Sequence, residues 1–173
     1  MISDEFKKLI RDIPDFPKTG ILFRDITPLI ADPRGFAAVV EGLAEPYLGQ
    51  VDTVLGIESR GFIIGAPVAY RLGVGLAIAR KPGKLPFKTI DESYDLEYGS
   101  ASLQMHSDAI AAGARVLIVD DLLATGGTAE AALKLVRKVG GVVVGCAFII
   151  ELARLRGVSR LDTAKSFSLI QYD

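Results

Sequence analysis

The chain has 173 residues, the usual size of a single domain. Its 20 Lys and Arg residues against 21 Asp and Glu residues give a formal net charge of −1, which argues against a globally basic nucleic-acid-binding protein. Hydrophobic residues make up 50% and charged residues 24%, a composition typical of a folded domain and not of a disordered chain. We therefore expect one domain over residues 1–173 with no nucleic-acid partner.

Metal and thiol chemistry are restricted by the single cysteine, Cys146, and the single histidine, His106. One cysteine cannot form an intrachain disulfide, and a zinc site of the His/Cys type lacks ligands. Cys146 lies in an apolar run, so it is expected to be a buried hydrophobic residue. The longest apolar stretch, residues 140–150, is shorter than the ~20 residues that span a bilayer. The charged N-terminus lacks the apolar region of a signal peptide, so we expect a cytoplasmic protein without a membrane partner.

The first fifty residues predict two helices. Ser3 is a plausible cap for a short N-terminal helix that ends at Pro14, and the apolar face of this helix comprises Phe6, Leu9, Ile10 and Ile13. Asp32–Pro33 predicts a second helix start, because aspartate caps helices and proline is favoured in the first turn.

Apolar runs separated by glycine and proline predict alternating strands and helices in the rest of the chain. The predicted strands are residues 53–57, 76–80, 115–120, 142–151 and 166–171, and the predicted helices are residues 59–72 and 128–139. This alternation is typical of a parallel α/β sheet flanked by helices. The uninterrupted apolar run at 115–120 favours a central strand, and the weak alternation at 166–171 favours an edge strand.

Residues 81–99 are polar, contain prolines and lack a clear period. A stretch of this length without secondary structure is usually functional or disordered, so it predicts a long, mobile loop. Its later part, residues 93–96, could pair with residues 101–105 as a hairpin.

The segment that carries most chemical information is residues 116–128. A buried strand ends in Asp120 and Asp121, and a loop containing Gly126 and Gly127 then opens a helix. Glycines let backbone N–H groups approach a ligand, and a helix N-terminus carries partial positive charge, so this loop predicts a phosphate cradle. The carboxylates would repel phosphate, so they are expected to serve ribose hydroxyls or a bridging Mg²⁺. Neither the P-loop nor the Gly-x-Gly-x-x-Gly motif is present.

The sequence Asp-Asp-Leu-Leu-Ala-Thr-Gly-Gly-Thr at 120–128 resembles the 5-phosphoribosyl-1-diphosphate (PRPP) motif of type I phosphoribosyltransferases, in the form found in adenine phosphoribosyltransferases. Five further segments are similar to that family, in its order, so the resemblance covers essentially the whole chain. They are Phe-Pro-Lys-Thr-Gly-Ile-Leu-Phe-Arg-Asp-Ile-Thr-Pro at 16–28, Glu-Ser-Arg-Gly-Phe at 58–62, Arg-Lys-Pro-Gly-Lys-Leu-Pro at 80–86, Ser-Tyr-Asp-Leu-Glu-Tyr-Gly at 93–99 and Phe-Ser-Leu-Ile-Gln-Tyr at 167–172.

The resemblance implies the type I phosphoribosyltransferase fold: a parallel α/β core, a small hood formed mainly by residues 1–30 with a C-terminal segment, and a flexible loop at about 81–99. It implies transfer of the phosphoribosyl group of PRPP to N9 of adenine, giving AMP and diphosphate in purine salvage, by a homodimer. Mg²⁺ is expected to bind mainly through PRPP and water, with no metal site formed by protein residues. Two alternatives remain: a regulator of the same fold that senses PRPP or a purine, and a transferase for another purine.

The resemblance also implies roles for individual residues in binding PRPP. Asp120 and Asp121 would hold the ribose hydroxyls. The 5′-phosphate would lie against the backbone and hydroxyls of Ala124, Thr125, Gly126, Gly127 and Thr128. Glu58, Ser59 and Arg60 would form a diphosphate loop, with a cis peptide bond between Glu58 and Ser59 and Arg60 as a forked cation.

Four cations, Arg80, Lys81, Lys84 and Lys88, fall within nine residues that contain no acid. Such a run is ordinarily a solvated loop, but beside an anionic substrate it predicts a clamp for diphosphate. The resemblance favours Lys81 and Lys84 as direct contacts and does not favour Lys88.

For the base, the resemblance implies contacts that sequence alone would assign to the core or to solvent. The adenine-binding set is Leu22, Phe23, Arg24, Leu122 and Leu152. Glu97 matches the acid that handles a proton at the purine, and Tyr98 beside it matches a PRPP-binding position. The expected catalytic residues are Glu97, Arg60, Asp120 and Asp121.

Overall fold

The computed structural model describes residues 4–95, 100–162 and 164–173. These ranges contain nine strands and five α-helices. The strands are β1 (Arg11–Pro14), β2 (Leu22–Asp25), β3 (Thr53–Ile57), β4 (Gly75–Ala79), β5 (Thr89–Asp95), β6 (Ser100–His106), β7 (Arg115–Leu123), β8 (Val142–Leu152) and β9 (Lys165–Tyr172). The helices are α1 (Asp4–Lys7), α2 (Thr27–Ala31), α3 (Pro33–Ala44), α4 (Arg60–Leu72) and α5 (Gly127–Lys138). Short 3₁₀ turns cover Glu45–Tyr47, Ala153–Leu155 and Gly157–Arg160.

The predicted parallel sheet is confirmed, with strand order β4-β3-β7-β8-β9 and β9 at an edge. Alternate residues of β7 serve two cores: Leu117 and Val119 join the core beneath α3 and α4, whereas Val116 and Ile118 join the core beneath α5. Burial on both faces explains why residues 116–119 of this strand are all apolar. Cys146 is fully buried in the second core, as expected.

The order of the strands determines where a ligand can bind. The chain enters the sheet at β3, adds β4 on one side, and then returns to add β7, β8 and β9 on the other side. The winding direction therefore reverses between β3 and β7. In open α/β sheets such a reversal leaves a crevice at the carboxyl ends of the two strands, which is the usual ligand site.

Two predicted helix ends are confirmed by their hydrogen bonds. Asp32 caps α3, and its Oδ1 accepts a hydrogen bond of 2.7 Å from the backbone N–H of Gly35. Helix α4 ends at Leu72, and the backbone N–H of the following Gly73 donates to the carbonyl oxygens of Ala69 and Tyr70. The φ of Gly73, 69°, lies in the left-handed region that glycine tolerates. No helix in the described ranges is long and apolar enough to cross a bilayer.

The predicted N-terminal helix is too long. Of its described residues, only 4–7 are helical, and Ile13 lies in β1, where it pairs with Phe23 of β2. A helix of one turn is marginal in water, so pairing with β2 decides the conformation of the residues that follow. The proposed capping residue Ser3 lies outside the described residues.

The predicted long loop at 81–99 is wrong for residues 89–95. They form β5, which pairs antiparallel with β6 from Thr89–His106 to Asp95–Ser100, so the suggested hairpin is confirmed and is longer than expected. Ile90 and Tyr94 pack against the core, but Glu92 between them instead forms ion pairs with lysines of α5. This polar residue on the inward face interrupts the apolar alternation and conceals the strand.

Candidate active site

A cleft of about 380 Å³ opens between the carboxyl ends of β3 and β7. Eight of its lining residues were predicted from sequence: Glu58, Ser59, Arg60, Lys81, Asp120, Asp121, Leu122 and Thr128. Tyr94 and Leu103, from the β5–β6 hairpin, line the cleft as well. They were missed as site residues, because the sequence suggested the hairpin but did not indicate that it borders the cleft. The cleft therefore brings together segments that are far apart in the sequence.

A smaller cavity of about 90 Å³ adjoins this cleft and shares Asp120, Leu122 and Thr128 with it. The predicted phosphate-cradle residues all line it: Ala124, Thr125, Gly126, Gly127 and Thr128. Helix α5 begins at Gly127, so its N-terminal N–H groups and the positive end of its dipole lie at this cavity.

Two glycines allow the cradle to pack against the 3₁₀ turn at 157–160. Gly126 has a φ of 84°, and a Cβ atom there would lie 2.4 Å from the carbonyl oxygen of Gly157. A Cβ atom on Gly157 would lie 2.2 Å from the carbonyl oxygen of Ala124. Neither position has room for a side chain. Sequence reasoning did not identify Gly157, since it is one of 18 glycines and no local pattern marks it.

Asp120 and Asp121 do not end β7 as expected, because the strand continues to Leu123. The Asp121 carboxylate is nearly buried and accepts a hydrogen bond of 2.5 Å from Nε of Arg60. The backbone N–H of Asp121 donates to Oδ1 of Asp120 at 2.8 Å. Burial and the negative charge of Asp121 raise the pKa of Asp120 well above its usual value.

The first turn of α4 lies directly against these carboxylates. The peptide bond between Glu58 and Ser59 is cis, as predicted, and Ser59 is the N-cap residue immediately before α4. A Cβ atom on Gly61 would lie 2.9 Å from Oδ1 of Asp120, so only glycine allows this approach. Arg60 is thereby held next to Asp121, between the segments that follow β3 and β7.

Glu58 is surrounded by donors from the following cationic segment. Its Oε1 accepts from Nζ of Lys84 at 2.5 Å, and its Oε2 accepts from the backbone N–H of Lys81 at 2.9 Å and from Nε of Arg80 at 3.3 Å. Burial alone would raise the pKa of Glu58, but these donors and the nearby positive charges outweigh it and lower the pKa. Lys81 lines the cleft, whereas Lys88 is exposed and is not among the described residues that line either cavity.

Strand β2 places Phe23, one of the predicted base-binding residues, next to Arg60, which lines the cleft. The guanidinium of Arg60 lies 5.3 Å from the ring centroid of Phe23, and the ring of Phe16 meets that of Phe23 edge-on at 5.2 Å. Arg24 lies 4.0 Å from the ring centroid of Tyr172 and forms an ion pair with Asp12.

The remaining predicted residues are less directly placed. Leu122 lines both cavities. Other predicted residues are not among the described residues that line either one, namely Leu22, Phe23, Arg24, Lys84 and Leu152. Glu97 and Tyr98 lie outside the described residues. Within residues 4–95, 100–162 and 164–173, no three His, Cys, Asp or Glu side chains form a group that could hold a metal ion.

Comparison with known proteins identifies the family. The model of the phosphoribosyl transferase domain family matches residues 30–171. The chain is 58% identical over 170 residues to the adenine phosphoribosyltransferase of Solibacter usitatus, covering 98% of each protein. The chain belongs to the adenine phosphoribosyltransferases. The type I phosphoribosyltransferase fold expected from the sequence is thereby confirmed.

Solved structures of adenine phosphoribosyltransferases agree with this assignment. The enzyme from Thermoanaerobacter pseudethanolicus superposes with a TM-score of 0.95 at 51% identity, covering 98% of this chain and 99% of that one. The enzyme from Saccharomyces cerevisiae, in complex with D-2,5-dideoxy-2,5-imino-altritol 1,6-bisphosphate and adenine, superposes with a TM-score of 0.90 at 39% identity, covering 95% of this chain and 96% of that one.

Proposed function

We propose that the protein transfers the 5-phosphoribosyl group of PRPP to N9 of adenine, giving AMP and diphosphate, with the substrates bound in the two adjoining cavities. The observation that carries this proposal is the arrangement at the ends of β3 and β7. A glycine-rich helix N-terminus, a pair of carboxylates and a set of cations follow one another across the site. These groups suit the phosphate, the ribose hydroxyls and the diphosphate of PRPP, in that order. The yeast relative that binds adenine together with a bisphosphate supports the same pair of ligands.

At the phosphate end, the backbone N–H groups of Gly126, Gly127 and Thr128 would donate to the 5′-phosphate oxygens, supported by the dipole of α5. Asp120 and Asp121 would accept from the ribose hydroxyls, because a carboxylate is an acceptor and would repel a phosphate. These roles need no residue to move far, since the two cavities already meet at Asp120.

At the diphosphate end, Arg60, Lys81 and Lys84 would stabilise the negative charge that grows as diphosphate leaves. Mg²⁺ would be held mainly by oxygen atoms of PRPP and by water, because the cleft carboxylates of Glu58 and Asp121 already pair with cations of the chain. When bound, the ion would neutralise part of the charge on the diphosphate.

At the base, Phe23 and Leu122 would enclose the purine ring, with Leu22, Arg24 and Leu152 completing the pocket. Glu97 would exchange a proton with the purine, and Tyr98 would contact PRPP. We further propose that residues 1–30 and the C-terminal segment form a hood, and that the enzyme acts in the cytoplasm as a homodimer.

The test is to incubate the protein with PRPP, Mg²⁺ and each of adenine, hypoxanthine, guanine and xanthine, and to follow nucleotide formation. AMP is the expected product. Asp120→Asn should lower kcat/KM for PRPP by about 10- to 100-fold, as expected for the loss of one charge-assisted hydrogen bond. Asp108→Asn, a change at an exposed acid outside the cleft, is the matched control. Binding of PRPP with no nucleotide formed would indicate a regulator, and formation of IMP, GMP or XMP in place of AMP would indicate another purine substrate.

A further inference from the structure

The carboxylate of Glu58 has the same sign as the diphosphate that it is expected to border. Its side chain is only 8% exposed, and donors already occupy both of its oxygens. All three donors belong to residues 80–84, which we call the cationic turn. A nearly buried carboxylate whose two oxygens both already accept hydrogen bonds has little capacity left to bind substrate directly, and contact with a diphosphate would place like charges together.

The cationic turn is held on its other side by Gln104 of β6. The backbone groups of Arg80 and Gln104 exchange two hydrogen bonds, of 2.8 and 2.7 Å. The side-chain Oε1 of Gln104 accepts from the backbone N–H of Gly83 at 3.0 Å. Within the turn, Arg80 Nη1 also donates to the carbonyl oxygen of Lys84 at 3.2 Å. The turn is thus fixed between an acid at the end of β3 and an amide on β6.

This arrangement leaves positive charge at the cleft. The cationic turn contributes Arg80, Lys81 and Lys84, and Glu58 supplies one negative charge, so two positive charges remain in excess. The backbone N–H of Lys81 binds Glu58, while Lys81 also lines the cleft. Because the backbone of Lys81 is held before the substrate arrives, less conformational entropy is lost on binding than if this segment were free.

We propose that Glu58 is a positioning residue, which holds the cationic turn beside the cleft so that Lys81 and Lys84 bind the diphosphate group of PRPP. This proposal rests on the proposed function and assigns Glu58 an indirect part in it. In the absence of substrate, the carboxylate of Glu58 pairs with the cationic turn and orders it. When PRPP binds, its diphosphate group binds Lys81 and Lys84 as a second anion.

Glu58→Gln tests the proposal because it keeps the size of the side chain but removes its charge. The new amide NH₂ group is a donor, and it would face the N–H donors of the cationic turn. Affinity for inorganic diphosphate, measured by calorimetry with Mg²⁺, and kcat/KM for PRPP should each fall by about 10- to 100-fold. The KM for adenine should stay within about threefold of the wild-type value, and tryptic cleavage after Lys84 should accelerate. Glu58→Asp, which keeps the charge, should recover part of the diphosphate affinity.

Two further variants separate positioning from charge and from general stability. Gln104→Ala removes the other anchor of the turn without changing any charge, and it should weaken diphosphate binding in the same direction by a smaller factor. Glu41→Gln breaks an exposed ion pair of 2.7 Å with Arg71, and neither residue is among the described residues that line the two cavities, so it should leave diphosphate binding unchanged.

The proposal is overturned if Glu58→Gln binds diphosphate within about threefold of the wild-type affinity, or if it weakens adenine and diphosphate use equally. If Glu58→Gln does not fold, Gln104→Ala decides: unchanged diphosphate affinity in that variant contradicts positioning by the turn, and weakened affinity supports it. If the wild-type protein forms no AMP, the proposed function fails, while diphosphate binding by these variants still tests the role of Glu58.

Discussion

Replacement of Arg60 by methionine isolates the ion pair on which the carboxylates of the cleft depend. Nε of Arg60 lies 2.5 Å from Oδ2 of Asp121, whose side chain is 7% exposed, whereas the Arg60 side chain is 43% exposed. Methionine preserves most of the length of the side chain but leaves the buried carboxylate without a partner. A hydrogen bond to a charged group contributes about 1.5–3 kcal/mol, and loss of a fully buried partner costs about 3–5 kcal/mol.

The lower range applies here because Arg60 is almost half exposed. We therefore expect Arg60→Met to reduce the free energy of unfolding by about 1.5–3 kcal/mol. For a domain of this size that corresponds to a fall of roughly 3–12 °C in Tm. Arg71→Met, which breaks the exposed pair with Glu41, is the matched control and should cost only about 0–1 kcal/mol.

Scanning calorimetry of Arg60→Met, Asp121→Asn and the double variant checks this expectation. If the two side chains stabilise the fold through each other, the double variant should lose less than the sum of the single variants, by about 0.5–3 kcal/mol. An Arg60→Met protein that unfolds within about 1 °C of the wild type, or strictly additive single losses, would refute the assignment of a stabilising pair.

Three other predictions follow from individual residues. Hydrogen bonds from Arg115 lower the pKa of Asp52 from 3.8 to about 2, so the pair stabilises the folded state above pH 3.8 and its contribution is lost as the pH falls through 2. Acid unfolding should therefore show Asp52→Asn less stable than the wild type near neutral pH and converging with it near pH 2, and a difference that persists in stronger acid contradicts this. Gly157→Ala, whose Cβ would lie 2.2 Å from a carbonyl oxygen of the phosphate cradle, should weaken PRPP binding in calorimetry by roughly 10- to 100-fold, and near-native affinity would show that the cradle does not need this contact. Glu97→Gln should lower kcat by roughly 10²–10⁴-fold with little change in PRPP affinity, whereas a kcat within a few-fold of the wild type, with chemistry rate-limiting, would remove Glu97 from proton transfer.

Much of the site was accessible from sequence because its parts follow strands. Residues 58–60 follow β3 and residues 124–128 follow β7, and in a parallel sheet those ends meet at one edge. Apolar runs in the sequence locate the strands. Because ligands bind at the carboxyl ends of parallel strands, the sequence alone predicts that both segments lie in one crevice. The motif at 120–128 and the family resemblance then supply the substrate.

The ion pairs between side chains of the site could not be predicted from sequence in the same way. Arg60 and Asp121 are 61 residues apart, and Glu58 and Lys84 are 26 residues apart. No local pattern selects such partners, since the choice depends on how α4 and the cationic turn meet the sheet. The first part of β5, residues 89–92, was missed for a related reason, because Glu92 on its inward face is neutralised by lysines of α5 that only the folded chain brings near.

The reversal of winding between β3 and β7 also constrains the order in which the protein can be built. Thr53 pairs with Val116, so the two strands that border the cleft are joined only after some sixty intervening residues have been synthesised. Until then β3 has β4 as its only possible neighbour in the sheet, and its fully buried Val54 and Leu55 lack the second strand that covers them. Parallel pairing over such a separation is slow, and an uncovered apolar strand edge invites association between chains. A chain whose synthesis stops before β7 is therefore prone to aggregate. PRPP cannot prevent this, because a ligand stabilises only chains in which its binding site has already formed.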